Sequence, residues 1–132
     1  MNELGVGIIG CGAVAGEYVK AFQSDARSEI RALVSRSRTG AERYRDAHDL
    51  RCSIETNAEA MLRDDGIDVV VVSTPHDAHT PYVVAAAEAG KHVIVEKPVA
   101  ITLEDLQKQL RAVRTNNVKT LVGFVLHWNP LP

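Results

Sequence analysis

The chain has 132 residues, 45% of them hydrophobic and 24% charged, the composition of one globular domain that can bury roughly two-thirds of its unfolded surface. A net charge of −2, from 15 basic and 17 acidic side chains, argues against a nucleic-acid partner. No apolar run approaches the roughly 20 residues of a membrane span, so no membrane partner is expected.

The start Met1-Asn-Glu-Leu4 lacks the basic residues of a signal peptide, and the first apolar run ends in glycines, which predicts a cytoplasmic protein. Cys11 and Cys52 have neither metal-site spacing nor the number of a disulfide framework, and are expected as reduced thiols. His76 and His79 lack further ligands at metal spacing, so no metal site is expected.

The first predicted strand, Leu4 to Ile9, runs straight into Gly10-Cys-Gly12-Ala13-Val14-Ala15 and a helix. A second strand spans Glu29 to Ser35, and a weak one Cys52 to Ile54. Asn57 is a plausible cap for a short helix over Ala58 to Leu62. The strand Asp68 to Ser73 leads to Thr80-Pro81, which predicts an N-cap and a first-turn proline, followed by helical residues Val83 to Ala89 and a stop at Gly90. His92 to Val95 forms the next strand and closes on Glu96-Lys97-Pro98. Thr102-Leu-Glu-Asp105 resembles a capping box, and Leu103, Leu106, Leu110 and Val113 recur at helical spacing as a predicted packed face. A last strand covers Lys119 to Val125, ahead of His127-Trp128-Asn-Pro130.

Strands alternating with helices imply βαβ units and a parallel sheet. The unbroken run Val69 to Val72 suits a strand covered on both faces. The expected fold is therefore α/β, a doubly wound parallel sheet of Rossmann type, with residues 1–132 as one dinucleotide-binding domain.

Gly10, Gly12 and Ala15 form the G-x-G-x-x-A variant between a strand and a helix, with Ala13 and Val14 opening that helix. Gly10 permits the tight turn, Gly12 lets the backbone approach a pyrophosphate, and Ala15 keeps helix and strand close. Free N–H groups and the helix dipole then face the phosphates. An NAD-preferring fold places Asp or Glu at the end of the second strand; here stand Ser35-Arg36-Ser37-Arg38. Residues 27 to 51 hold seven arginines and four acids, +3 against −5 for the rest. Arginine offers planar, permanently charged donors to a 2′-phosphate, so NADP is the expected cofactor, with NAD or dual use as the alternative.

Ser73-Thr74-Pro75 ends the strand beyond the topological switch, where ligands sit in such folds. Lys97, delivered by the end of the His92–Val95 strand, is the candidate for the chemistry: an ammonium beside a positively charged nicotinamide tends to a lower pKa and can orient a substrate hydroxyl and relay its proton. Glu96 is expected to fix the ribose or nicotinamide edge. A solvated ion pair at the strand exit is the plain alternative for the two.

Gly7-Ile-Ile-Gly-Cys-Gly12, Ile67 to Pro75, His79 and Ala89 to Pro98 together resemble the N-terminal half of the Gfo/Idh/MocA family, the relatives of glucose-fructose oxidoreductase and inositol dehydrogenase. The resemblance covers nearly the whole chain. It implies strand order 3-2-1-4-5-6, a following open-faced sheet domain that binds a sugar or polyol substrate and carries an acid-base histidine, and association of full-length chains into homo-oligomers. It also implies ribose contacts from Thr74 and His79, although His79 can equally be a structural residue ahead of a helix. His76 departs from the more common asparagine and is either a ribose contact or a surface turn residue. His127 stands where many relatives have arginine and would address the substrate; Trp128 would pack between domains, and the end of the last strand around Phe124, Leu126 and Trp128 would expose an apolar patch.

Three functions follow from these readings. The first is the cofactor-binding part of an oxidoreductase moving hydride between a nicotinamide and a small hydroxyl or carbonyl compound. The second is a non-catalytic NAD(P)-sensing regulator, which would not need Lys97. The third, a fold without a ligand, requires the glycine turn, the arginines and the lysine to coincide by chance.

Overall fold

The computed structural model describes residues 3–123. In chain order it contains β1 (Leu4–Ile9), α1 (Ala13–Gln23), β2 (Ser28–Val34), α2 (Arg38–Ala47), β3 (Ser53–Glu55) and α3 (Glu59–Arg63). Then follow β4 (Val69–Val72), a 3₁₀ turn (His76–Ala78), α4 (His79–Glu88), β5 (His92–Glu96), α5 (Leu103–Thr115) and β6 (Thr120–Gly123). The strands form one 6-stranded sheet in the order β3-β2-β1-β4-β5-β6, with every pairing parallel. This is the doubly wound order expected from the sequence, and its direction reverses between β1 and β4.

Strand periodicity divides the apolar residues between two cores. Val70 and Val72 of β4 and Val93 and Val95 of β5 pack with Met61 of α3 and Val83 and Ala86 of α4. Val71 joins Val6, Ile8 and Leu33 against Ala15 and Val19 of α1, with Ile94 at its margin. Both faces of the central strands are thus covered, which is why β4 reads as unbroken valine rather than as an alternating pattern.

Two expectations about helices are corrected. Thr80 is not the N-cap of α4: a 3₁₀ turn brings the helix start forward to His79, and Ala78 stands at the cap without a side-chain hydrogen bond. Pro81 still lies in the first turn, where its missing N–H costs nothing. The Thr80 hydroxyl instead accepts from Gln109 Nε2 at 2.8 Å. On α5 the Thr102 cap is present, its Oγ1 accepting from the Asp105 N–H at 3.1 Å. The packed face, however, is carried by Gln109 and Ala112, whereas Leu103 and Leu110 are 70% and 41% exposed. Gln109 takes the interior place because its amide also donates to the Val99 carbonyl at 2.9 Å, satisfying a group that an apolar residue would leave orphaned.

Asn57 serves the short α3, accepting from the Glu59 N–H at 3.0 Å. Among the described residues no helix is long and apolar enough to cross a membrane.

Candidate functional site

The carboxyl ends of β1, β2, β4 and β5 lie side by side, and each delivers one piece of the predicted site. Backbone bonds lock these ends together: the Gly10 N–H donates to the Val34 carbonyl at 2.9 Å and the Ser73 N–H to the Ile9 carbonyl at 2.8 Å. Gly10 has φ +98°, a conformation that favours glycine, and a β-carbon there would sit 2.5 Å from the Ser73 carbonyl oxygen. The turn after β1 is therefore pressed against the end of β4.

Gly12 stands at the N-cap of α1 with extended backbone, and no side chain caps the helix. A β-carbon at Gly12 would meet no protein atom within 4 Å. Gly12, Ala13 and Val14 are exposed, while Ala15 is buried against the sheet. The first-turn N–H groups of α1 thus face open space, the arrangement that receives phosphate.

At the end of β2, Ser35 Oγ accepts from the Ser37 N–H at 3.3 Å, and Ser37 caps α2 by accepting from the Gly40 N–H at 3.0 Å. These two serines are used in shaping the turn. Arg38 opens α2, and its guanidinium donates to the Ile54 carbonyl at 3.2 Å. Arg36 is exposed and makes no hydrogen bond or ion pair among the described residues.

Beyond β4 the Thr74 hydroxyl is buried without a hydrogen-bond partner among the described residues. A buried hydroxyl without a partner is uncommon, and this one lies beside the switch point of the sheet. Pro75 and His76 are exposed on the adjoining turn. His79 is placed differently from the ribose contact considered above. It is 0% exposed, with Nδ1 2.9 Å from the Pro98 carbonyl and Nε2 3.0 Å from the Thr74 carbonyl, so both ring nitrogens lie against protein carbonyls and the single N–H of a neutral ring donates to one of them. The ring fills the space between the loop after β4 and the loop after β5.

Lys97 emerges at the end of β5, exposed and without a polar partner among the described residues. No ion pair joins it to Glu96 there. Glu96 turns instead to the α1 side of the sheet, only 8% exposed, where its Oε1 accepts a hydrogen bond from the Tyr18 hydroxyl. Burial first, and then this carboxylate, push the Tyr18 phenol well above its ordinary range. Tyr18 was not among the residues singled out from the sequence. The signal available was an aromatic with a polar tip on an otherwise apolar helix face, which requires a partner when buried.

Behind the glycine turn, burial and the neighbouring Cys52 push the Cys11 thiol up to about 11. Burial and Cys11 push the Tyr44 phenol up to about 12, and its hydroxyl too is buried without a partner among the described residues. Cys11 and Cys52 are free thiols. His127, with Phe124, Leu126 and Trp128, lies outside the described residues. A groove of about 530 Å³ along the amino-terminal part of β2 and the start of β3 is lined by Arg31, Arg45 and Arg51, with Cys52 also in its wall.

The open glycine turn and the orphaned Thr74 hydroxyl fit a dinucleotide. Comparison with known proteins agrees. Residues 4–124 match the model of an oxidoreductase family with an NAD-binding Rossmann fold, Gfo/Idh/MocA. The chain is 32% identical over 126 residues to an inositol 2-dehydrogenase/D-chiro-inositol 3-dehydrogenase of Halalkalibacterium halodurans, covering 93% of this chain and 36% of that protein. Among solved structures it resembles a 3-ketoreductase from Actinomadura kijaniata in complex with NADP, with TM-score 0.88 and 26% identity over 98% of this chain and 39% of the other. It likewise resembles a levoglucosan dehydrogenase in complex with NADH, with TM-score 0.86 and 28% identity over 93% of this chain and 35% of the other. The chain thus spans between a third and two-fifths of the length of these relatives. From glycine turn to strand-end lysine, it belongs to the Gfo/Idh/MocA family of oxidoreductases and is an NAD(P)-binding Rossmann domain of that family.

Proposed function

We propose that residues 1–132 form the cofactor-binding part of an NADP-dependent dehydrogenase or reductase acting on a sugar, polyol or similar hydroxyl or carbonyl compound. The observation that carries this reading is the exposed Lys97 and the buried Thr74 hydroxyl, both without a partner among the described residues, at the carboxyl ends of adjacent strands. The named relatives, an inositol dehydrogenase and a levoglucosan dehydrogenase, support the substrate class.

The nicotinamide supplies the hydride chemistry when bound. The backbone N–H groups after Gly12 hold the pyrophosphate, and the Thr74 hydroxyl completes its hydrogen bonding on the nicotinamide side. Pro75 and His76 border that side. Lys97 donates an N–H to the substrate oxygen and carries its proton as the alcohol and carbonyl forms interconvert. Arg36, exposed just beyond β2, would pair with a 2′-phosphate, while Arg38, already bonded to the Ile54 carbonyl, supports the turn.

NADP stands here as preference because the two family structures divide, one with NADP and one with NADH. Fluorescence titration with NADPH and NADH tests it. Tighter binding of NADPH supports the reading, and equal affinities remove the preference while leaving the nicotinamide site; failure to bind either cofactor overturns the function.

A further inference from the structure

We propose that Tyr18 is a positioning residue for Lys97, acting through Glu96, and that His79 holds the same segment from the opposite face of the sheet. This rests on the reading that Lys97 addresses the bound nicotinamide and substrate. Three consecutive residues, 96 to 98, leave β5. The carboxylate of the first is bound by Tyr18 on α1, which belongs to the core of Val6, Ile8 and Val71. The carbonyl of the third is 2.9 Å from Nδ1 of His79 on α4, whose Val83 and Ala86 belong to the core of Val70, Val93 and Val95. Lys97 between them is exposed and partnerless among the described residues. Its backbone is pinned on both sides and its side chain left to point at a ligand.

The surroundings of the Tyr18–Glu96 bond make it stiff. Glu96 pairs in register with Gly123 of β6, and a β-carbon on Gly123 would collide with both the Tyr18 hydroxyl and the Glu96 carboxylate. Only glycine lets the edge strand close over the pair. Beside the pair runs an open, largely apolar groove of about 410 Å³, bordered by Ala13, Val14, Ala21 and Leu121, with Glu17, Tyr18 and Glu96 as its polar members. Glu96 itself is only 8% exposed, and a buried carboxylate left without its hydrogen bond is costly. A buried ionisable residue that apolar packing could replace at no loss of stability is weak evidence of a stabilising role. Its geometric consequence is plain: the helix that seats the phosphates is tied directly to the residue preceding the lysine.

The test reads Lys97 itself. Reductive methylation with ¹³C-formaldehyde keeps lysine charged and gives each dimethyl-lysine an NMR signal, and the one missing from Lys97→Arg is that of Lys97. In the wild type this signal shifts on saturation with NADP⁺. In Tyr18→Phe the proposal expects the NADP⁺-bound signal to move from its wild-type position or divide, while calorimetric NADP⁺ affinity changes by no more than about threefold. The double variant Tyr18→Phe/Glu96→Leu removes the buried unpaired charge and so restores stability; it is expected to keep the altered Lys97 signal. Signals superimposable on wild type in both variants overturn the positioning role. A wild-type Lys97 signal that ignores bound NADP⁺ overturns the site assignment of Lys97, and the proposal with it.

Discussion

Gly10 and Ser73 are in contact through backbone alone: the turn after β1 approaches the end of β4 so closely that residue 10 has room for hydrogen only. Two residues later the situation is reversed. Gly12 faces open space, with φ −104°, a value any residue adopts. The two glycines of one motif therefore differ: packing requires glycine at position 10 and does not at position 12.

Alanine substitution separates them. Gly10→Ala strains a left-handed backbone and drives a methyl group into the Ser73 carbonyl, and is expected to destabilise the domain by about 1–3 kcal/mol or more. Gly12→Ala is expected to cost at most about 1 kcal/mol, since alanine is a poorer N-cap than glycine while the change also reduces unfolded-chain entropy. Its methyl group nevertheless occupies the phosphate approach, so NADPH affinity falls by about tenfold or more. Parallel urea melts and NADPH titrations decide the point; a Gly12→Ala variant with wild-type affinity removes the turn from the binding site.

Arg36 and Arg38 are predicted to behave differently although the sequence presents them as a pair. A charge-assisted hydrogen bond contributes about 1.5–3 kcal/mol, so Arg36→Ala is expected to weaken NADPH binding by about tenfold or more and to leave NADH unchanged. Arg38→Ala loses the bond to the Ile54 carbonyl and is expected to lower stability by about 0.5–1.5 kcal/mol, with a smaller effect on the NADPH-to-NADH ratio. If both cofactors respond equally to Arg36→Ala, the 2′-phosphate assignment fails.

Strand identities and the glycine turn were legible in the sequence because each rests on local chemistry, β-branched runs and glycines at fixed offsets, whereas the sheet order followed from the βαβ alternation together with the family resemblance. What escaped depends on partners distant in sequence. Tyr18 and Glu96 are separated by 78 positions, and nothing local to either announces the other. For His79 the resemblance implied a ribose contact and the residue alone allowed a structural role; the structure buries it between two carbonyl oxygens, the structural alternative. On α5, helical periodicity selected four apolar residues as the packed face. The choice went wrong at Leu103 and Leu110 because Gln109 found hydrogen bonds on two other segments.

The Cys11 thiol is held up to about 11 from an ordinary 9.0, chiefly by burial. The thiolate is the reactive form, so Cys11 is expected to alkylate slowly at pH 8 in the folded protein and at the normal rate once unfolded. The sign for stability follows from linkage. The raised folded value means that the native state holds the proton more tightly; the contribution is complete below 9.0 and is lost as pH rises through about 11. Cys11→Ser should lack that alkaline loss in urea melts between these limits. A folded Cys11 that iodoacetamide modifies at pH 8 as fast as free cysteine contradicts the burial argument.

Lys97 is predicted to matter for turnover more than for cofactor affinity. It is exposed and free of ion pairs among the described residues, so its removal breaks no internal bond and is expected to leave stability within about 0.5 kcal/mol. In the whole protein, assayed with a sugar or polyol that supports turnover, Lys97→Ala is expected to lower kcat/KM by about 10² or more, the scale of a positioned acid-base group. NADPH affinity should change only a few-fold. Lys97→Arg should rescue poorly, because arginine preserves charge but cannot release its proton at working pH. The comparison of the two variants carries the argument: equal, near-wild-type turnover in both would make Lys97 a solvated strand-end charge, whereas loss in both with intact cofactor binding identifies the proton-handling group.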